Sequence, residues 1–257
     1  MKAVILAGGL GSRLAEETTI KPKPMVEIGG RPLLWHIMKH YSHYGINDFI
    51  ICCGYKAEII KNYFINYQAL SSDFSVSLDD GKLEMLRKNT EPWRVSLIDT
   101  GVHSMTGGRL KRVAKYLEGE GTFCMTYGDG LGDVDIAESI KFHHAHGRYA
   151  TLTAVHPIAR FGSLQLDGAV VKNFAEKPKG TGQRISAGFF VLSAEVLSYI
   201  DDDSTVWEQG PLEKLARDDQ LRAYFHDGFW QPMDTLRDRM ALASMADSGS
   251  APWKVWA

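Results

Sequence analysis

Ala3-Val4-Ile5-Leu6-Ala7-Gly8-Gly9-Leu10-Gly11-Ser12-Arg13-Leu14, with Lys21-Pro22-Lys23-Pro24-Met25 close behind, sets the frame for the whole chain of 257 residues. The apolar run at 3–7 reads as a short first strand buried on both faces, and the glycines begin where it ends. Glycine lets successive backbone N–H groups turn toward one point, and without side chains a bulky anion can come close. Arg13 and Lys23 add two full positive charges to that cradle. Three glycines alone could be no more than a tight turn, but with two cations beside them a phosphate site is the better account.

Two common phosphate loops fail on residue identity. A dinucleotide fingerprint needs G-x-G-x-x-G and an acidic residue about twenty positions on, at the ribose. Here the order is Gly8-Gly9-x-Gly11-Ser12-Arg13, and the next strand, Phe49-Ile50-Ile51-Cys52-Cys53, ends in Gly54-Tyr55-Lys56 with no carboxylate. No segment supplies the G-x-x-x-x-G-K-[ST] of a Walker loop.

Working outward, strands alternate with helical patterns. Pro32 opens a helix with apolar residues at Leu33, Leu34, Ile37, Met38 and Tyr41, and Gly45 closes it. A strand at 49–53 and a helix at 57–67 follow, then β-like pieces at 74–78 and 95–99, a helix at 108–117 and a strand at 122–127. This alternation predicts an α/β fold, a Rossmann-like, mostly parallel sheet with helices on both faces. Beyond it come a helix at 136–146, a strand at 150–155, and β pieces at 164–166, 170–175 and 186–192. These last three read as antiparallel strands and an insertion at the sheet edge. Helices at 211–217 and 235–247 complete the chain. With no linker, repeat or low-complexity tract, one domain over 1–257 is expected.

Composition narrows the function classes. Hydrophobic content of 44% and charged content of 23% are those of a globular protein, and a net charge of −2 gives no reason to expect nucleic acid or an anionic membrane as partner. No apolar run approaches the roughly twenty residues of a membrane span. The N-terminus enters a strand directly, without the h-region of a signal peptide, so a cytoplasmic location is expected. Cys52, Cys53 and Cys124 lie in apolar segments and read as reduced core thiols. His36, His40 and His43 read as polar-face residues, and His143-His144-Ala145-His146 as a solvated helix face. Trp253 and Trp256 are too apolar for a free tail, which is expected to dock on its own domain or on a neighbouring subunit.

Asp129, between two glycines at the C-terminal end of an apolar strand, stands at the sheet edge where ligands of open α/β folds collect. A carboxylate there suits Mg²⁺, which takes one or two carboxylates plus phosphate oxygens; the competing account is a turn aspartate bonded to its own backbone. Asp133 and Asp135 read as turn and cap residues, and Lys21 as a solvated surface lysine.

At these residues the chain resembles the sugar-1-phosphate nucleotidyltransferases, which carry G-G-x-G-[ST]-R-L and then P-K-P near the N-terminus. The likeness runs on through Met25-Val26-Glu27-Ile28-Gly29-Gly30-Arg31-Pro32-Leu33-Leu34-Trp35-His36. It continues, in collinear order, at Glu91-Pro92-Trp93-Arg94-Val95, Met105-Thr106-Gly107-Gly108-Arg109, Tyr127-Gly128-Asp129-Gly130, Glu176-Lys177-Pro178 and Gln231-Pro232-Met233-Asp234-Thr235. The resemblance implies a GT-A-like fold with an antiparallel sugar-binding insertion. Residues 1–130 would mainly bind nucleotide, and 131–257 would hold the sugar phosphate and the C-terminal helices.

The reaction implied is attack of a sugar-1-phosphate oxygen on the α-phosphorus of a nucleoside triphosphate, releasing pyrophosphate. CTP and α-D-glucose 1-phosphate are the implied substrates, with dTTP, UTP or another sugar 1-phosphate as alternatives. A non-catalytic sensor or scaffold is a further alternative, disfavoured because Arg13, Lys23, Asp129, Lys177 and Asp234 occur together. Lys23 and Arg13 are the implied catalytic cations. Leu6, Ala7, Gly8, Gly9, Gly11, Ser12, Arg13, Lys23, Thr106, Gly108 and Arg109 would bind the nucleotide, and Glu176, Lys177 and Gly188 the sugar phosphate. Asp129 and Asp234 would hold Mg²⁺, although Asp234 could instead cap the helix that follows it. Thr106-Gly107-Gly108-Arg109 is expected against the nucleotide base, with contact to the triphosphate or a bridge from a neighbouring helix as alternatives for Arg109. The resemblance also implies a homo-oligomer.

Overall fold

A computed structural model describes residues 1–11, 14–87, 89–157, 163–175 and 183–256. The first half runs β1 (Lys2–Leu6), α1 (Ala15–Thr18), β2 (Glu27–Ile28), β3 (Arg31–Pro32), α2 (Leu33–His43), β4 (Asp48–Cys53), α3 (Ala57–Ile65) and α4 (Tyr67–Leu70). It continues with β5 (Asp73–Val76), β6 (Leu83–Arg87), β7 (Arg94–Asp99), α5 (Thr106–Val113), β8 (Thr122–Tyr127) and β9 (Gly130–Gly132). The second half holds α6 (Ile136–His146), β10 (Ala150–Val155), β11 (Ser163–Asp167), β12 (Val170–Ala175), β13 (Ile185–Ser193), α7 (Gly210–Arg217), β14 (Leu221–Phe225), β15 (Trp230–Pro232) and α8 (Leu236–Asp247).

Seven strands form the main sheet in the order β14-β10-β13-β8-β1-β4-β7. Every neighbouring pair is parallel except the two that involve β13, which runs antiparallel to both β8 and β10. The predicted mixed, mostly parallel α/β sheet is therefore what forms. Its centre explains the apolar run that opens the chain. Ala3, Ile5 and Ala7 enter one core layer with α2 and the C-terminal tail, while Val4 and Leu6 enter the other with α5 and α7. A strand covered by helices on both faces has no polar side to show.

Three expectations are corrected. The segment expected at the sheet edge, 186–192, lies instead in its middle as β13, because Phe190 and Leu192 face one core layer and Phe189 and Val191 the other. Of the three pieces expected there, β11 and β12 stand apart from the main sheet, as a separate antiparallel pair. The helix expected over 57–67 breaks at Asn66, where the Asn66 side-chain amide donates back to the Asn62 carbonyl and a short second helix begins.

The histidines are the third correction. His36, His40 and His143 are 1%, 2% and 2% exposed, whereas His43 and His144 are solvated as expected. Each buried ring has found partners. The Trp253 indole donates to His36 Nδ1 at 3.3 Å, which leaves Nε2–H to donate to the Ile28 carbonyl at 2.8 Å. His40 Nε2 bonds the Val134 carbonyl at 2.8 Å, and His143 bonds Thr151 and Ser193. Burial holds all three neutral, with pKa values lowered to about 4.

The tail docks on its own chain. Trp253 is fully buried between His36 and Phe229, and Trp256 lies edge-on to Trp35 of α2. All three cysteines are buried and free, and burial raises their thiol pKa values. Among the described residues, no helix is long and apolar enough to cross a membrane.

Candidate active site

The C-terminal ends of β1 and β8 and the loop after β7 open onto one cleft of about 630 Å³. Leu6, Ala7, Gly8, Gly9 and Gly11 form one wall, Lys23 and Asp129 the floor, and residues 102–106, Tyr127 and Glu208 the far side. Gly9 borders open space, and Gly11 adopts the left-handed conformation (φ +65°), where a Cβ would also press into Thr18. Ser12 and Arg13, expected beside them, lie outside the described residues, as do Glu176 and Lys177.

Lys23 reaches its place by local stiffness and one close approach. Pro22 and Pro24 flank it in a single 3₁₀ turn, Lys23–Met25, and proline fixes φ on either side. Pro24 then packs on Gly128, where any side chain would sit 2.9 Å from the ring. That contact carries the Lys23 ammonium to the end of β8, 3.0 Å from Asp129 Oδ2. Its side chain is only 9% exposed.

Asp234 comes from 105 residues further along the chain by a short pairing. β15 runs antiparallel to β9 with Pro232 opposite Gly130, and the Met233 N–H donates to the Asp129 carbonyl at 2.8 Å. Asp234 therefore lies beside Asp129, and its Oδ1 accepts from Lys23 at 2.7 Å. The capping alternative is not what forms. Thr235 is the N-cap of α8, in a reciprocal capping box with Asp238. Asp135 caps α6, and Asp133 accepts from the Phe229 N–H and pairs with His226, as turn and cap residues do.

Arg109 lines the cleft and takes the bridging place, one of those expected for it. It is 4% exposed, and its guanidinium donates to the carbonyls of Gly8 (3.0 Å), Gly101 (2.8 Å) and Val102 (3.2 Å) and to Thr100 Oγ1 (2.9 Å). It bridges from α5 to the loops after β1 and β7 and braces the cradle from below. A Cβ at Gly8 would lie 2.0 Å from this guanidinium, so one of the glycines makes room for arginine. Gly108 is not brought into the cleft: it packs on the Asp203 backbone, 2.4 Å from where its Cβ would be. Gly188, expected against the sugar, has φ +80° and lies against the Tyr127 ring, 2.4 Å from a virtual Cβ.

Glu208 went unnoticed in the sequence. Its carboxylate accepts from the Thr106 hydroxyl at 2.7 Å and from the Tyr127 phenol, tying β8, the start of α5 and the segment before α7 into one wall. Burial and the Glu208 charge together push the Tyr127 pKa far up, so the phenol stays a donor. Lys21 pairs with exposed Glu27 at 3.4 Å, as a surface lysine would.

No group of three or more His, Cys, Asp or Glu converges among the described residues. The pair Asp129 and Asp234 is nonetheless a fit for Mg²⁺, which needs only one or two carboxylates when substrate phosphates supply the remaining oxygens.

A model of the nucleotidyl transferase family matches residues 2–235. The chain is 58% identical over 256 residues to glucose-1-phosphate cytidylyltransferase of Salmonella typhi, with all of both chains covered. It is 41% identical over 257 residues, again with full coverage, to a probable glucose-1-phosphate cytidylyltransferase of Bacillus subtilis. Among solved structures, HddC from Yersinia pseudotuberculosis in complex with GMP-PN superposes with a TM-score of 0.69 at 25% identity, over 95% of this chain and 98% of that one. With a glycine cradle over Lys23 and Asp129, Asp234 paired to that lysine, and the family model matching residues 2–235, this chain belongs to the nucleotidyl transferase family.

Proposed function

We propose that this chain transfers a cytidylyl group from CTP to α-D-glucose 1-phosphate, giving CDP-glucose and pyrophosphate. The observation that carries the reading is the meeting of Lys23 and Asp129 on the floor of the glycine-walled cleft, with Asp234 bonded to the same lysine. The choice of substrates rests on full-length identity of 58% to a glucose-1-phosphate cytidylyltransferase.

The attacking phosphate is already ionised near neutral pH, so no general base is needed. What the protein must do is hold two polyanions in line and offset the charge that develops at the α-phosphorus. The amides of Gly8–Gly11 receive the triphosphate, with Arg13 as its bidentate clamp. Lys23 neutralises the α-phosphate, and Thr106 lies at the far wall with the nucleoside. Glu176 and Lys177 take the sugar hydroxyls and the sugar phosphate. Asp129 and Asp234 would hold Mg²⁺, which would supply positive charge against the repulsion between the two phosphate groups. In this division residues 1–130 mainly serve the nucleotide and 131–257 the sugar phosphate.

Incubation with Mg²⁺, glucose 1-phosphate and each triphosphate in turn, with products resolved by chromatography, tests the assignment. CDP-glucose formed from CTP in clear preference to UDP- or dTDP-glucose is the expected result. Preference for dTTP or UTP, or for a different sugar 1-phosphate, would overturn the substrate assignment while leaving the chemistry.

A further inference from the structure

At one point in the far wall of the cleft, two hydroxyl protons are already committed to a carboxylate. Glu208 accepts from the Thr106 hydroxyl at 2.7 Å and from the Tyr127 phenol, and all three side chains line the cleft. We infer that Glu208 is a specificity residue, whose carboxylate accepts hydrogen bonds from the hydroxyls of a substrate sugar ring. This rests on the reading of the cleft as the place where nucleotide and sugar phosphate meet.

The carboxylate is set by an anchored loop. The Met105 N–H donates to the Asp203 carbonyl at 2.8 Å, and those of Gly107 and Gly108 to the Thr205 carbonyl at 3.0 and 3.2 Å. A side chain on either glycine would force the loop away, since a Cβ would lie 2.8 Å from the Thr205 carbonyl oxygen or 2.4 Å from that of Asp203. Trp207 is fully buried, and its backbone N–H donates to Thr106 Oγ1 at 2.9 Å. The Thr106 hydroxyl thus accepts from the loop and donates to Glu208. A carboxylate held in this way costs little further ordering when a ligand arrives.

Chemistry and place narrow what it can bind. A carboxylate repels a triphosphate, but with about four acceptor sites it can take donors beyond Thr106 and Tyr127. Tyr127 stands at the end of β8, just before Gly128 and Asp129, so this part of the wall is beside the reacting phosphates. What flanks those phosphates in either substrate is a sugar ring: ribose on the triphosphate, hexose on the sugar phosphate. The base is one ring further away.

The experiment is steady-state kinetics of wild type and Glu208→Ala on substrates that differ by one hydroxyl. One series is the ribonucleoside triphosphate with its 2′- and 3′-deoxy analogues; the other is the sugar 1-phosphate with its monodeoxy analogues. Glu208→Ala should cut the kcat/KM preference for the hydroxylated member at least about tenfold in one series, the worth of a hydrogen bond to a charged acceptor. It should do so by slowing the hydroxylated substrate and leaving the deoxy one nearly unchanged. A collapse in the first series assigns the bond to ribose, and in the second to the hexose. Glu208→Gln keeps an acceptor oxygen and drops the charge; it should fall between the two proteins and serves if the alanine variant does not fold.

Equal losses on every substrate, with all preferences kept, would reduce Glu208 to a brace of the wall and overturn the inference. Lost discrimination among cytosine, uracil and thymine, with the hydroxyl preferences intact, would put the carboxylate at the base and overturn it too. Members of each series share a base or a sugar phosphate, so the test can be run on whichever substrates the wild type prefers. A wrong substrate assignment and a wrong role for Glu208 therefore give different results.

Discussion

Arg109 ties the glycine loop after β1 to the loop after β7 from beneath the cleft. Its planar fork satisfies carbonyls from two loops at once, and each of those groups left unpaired in the interior costs about 1–3 kcal/mol. Lysine has neither the fork nor enough donors to replace it. Arg109→Lys is therefore expected to lower stability by at least about 2 kcal/mol, seen as a lower urea midpoint, and to raise KM for the nucleotide as the Gly8 loop loosens. An unchanged midpoint would show that the loops hold without it. The residue itself stood out in the sequence as a cation near the nucleotide. A bridge is among its readings, but the partners were not legible, because the groups it serves belong to Gly8, 101 residues away, and to the loop at 100–102.

Among elements, the histidines of α2 and α6 carry a pH signature. With pKa values of about 4 when folded and about 6.5 when unfolded, His36, His40 and His143 bind fewer protons in the native state across that interval. Their contribution is complete above about pH 6.5 and is lost as pH falls toward about 4. The urea midpoint should drop steadily over this window, and His143→Gln should flatten the slope; a flat wild-type profile would contradict their neutral burial. Hydropathy marks an imidazole as polar, yet a neutral, hydrogen-bonded ring packs like any aromatic side chain, which is why neither buried face was legible. The short pair β9 and β15 escaped for another reason. Gly130-Leu131-Gly132 has no strand periodicity, and its pairing with Trp230–Pro232 is decided only once the sheet exists. By contrast, the run at 3–7 and the cradle after it were legible because strand burial and glycine turns are local properties.

On the scale of the molecule, the tail and one hairpin extend the account beyond the sheet. Trp253 fills the space between His36 of α2 and Phe229, just ahead of the strand that delivers Asp234. Deleting residues after 249 should thus lower the melting temperature by several degrees and reduce turnover together; loss of neither would mean the tail is dispensable. The β5–β6 hairpin stands out with Val76, Leu83 and Leu86 exposed and Leu78 92% exposed. Two strands alone are marginal in water, and an apolar patch of this kind marks a contact surface. We expect it to be buried in a homo-oligomer, so Leu78→Asp with Leu86→Asp should lower the mass seen by light scattering, and an unchanged mass would place the contact elsewhere. Neither feature has a local signature beyond its apolar residues.

All three scales meet at Lys23, which proline stiffness, the Gly128 contact and the β9–β15 pairing bring together with Asp129 and Asp234. The most direct measurement is pyrophosphate release by Lys23→Ala at saturating CTP, glucose 1-phosphate and Mg²⁺, on protein shown by circular dichroism to be folded. Loss of one preorganised charge at the transition state predicts a kcat at least about 100-fold below wild type. A folded Lys23→Ala protein that turns over at the wild-type rate would contradict the account.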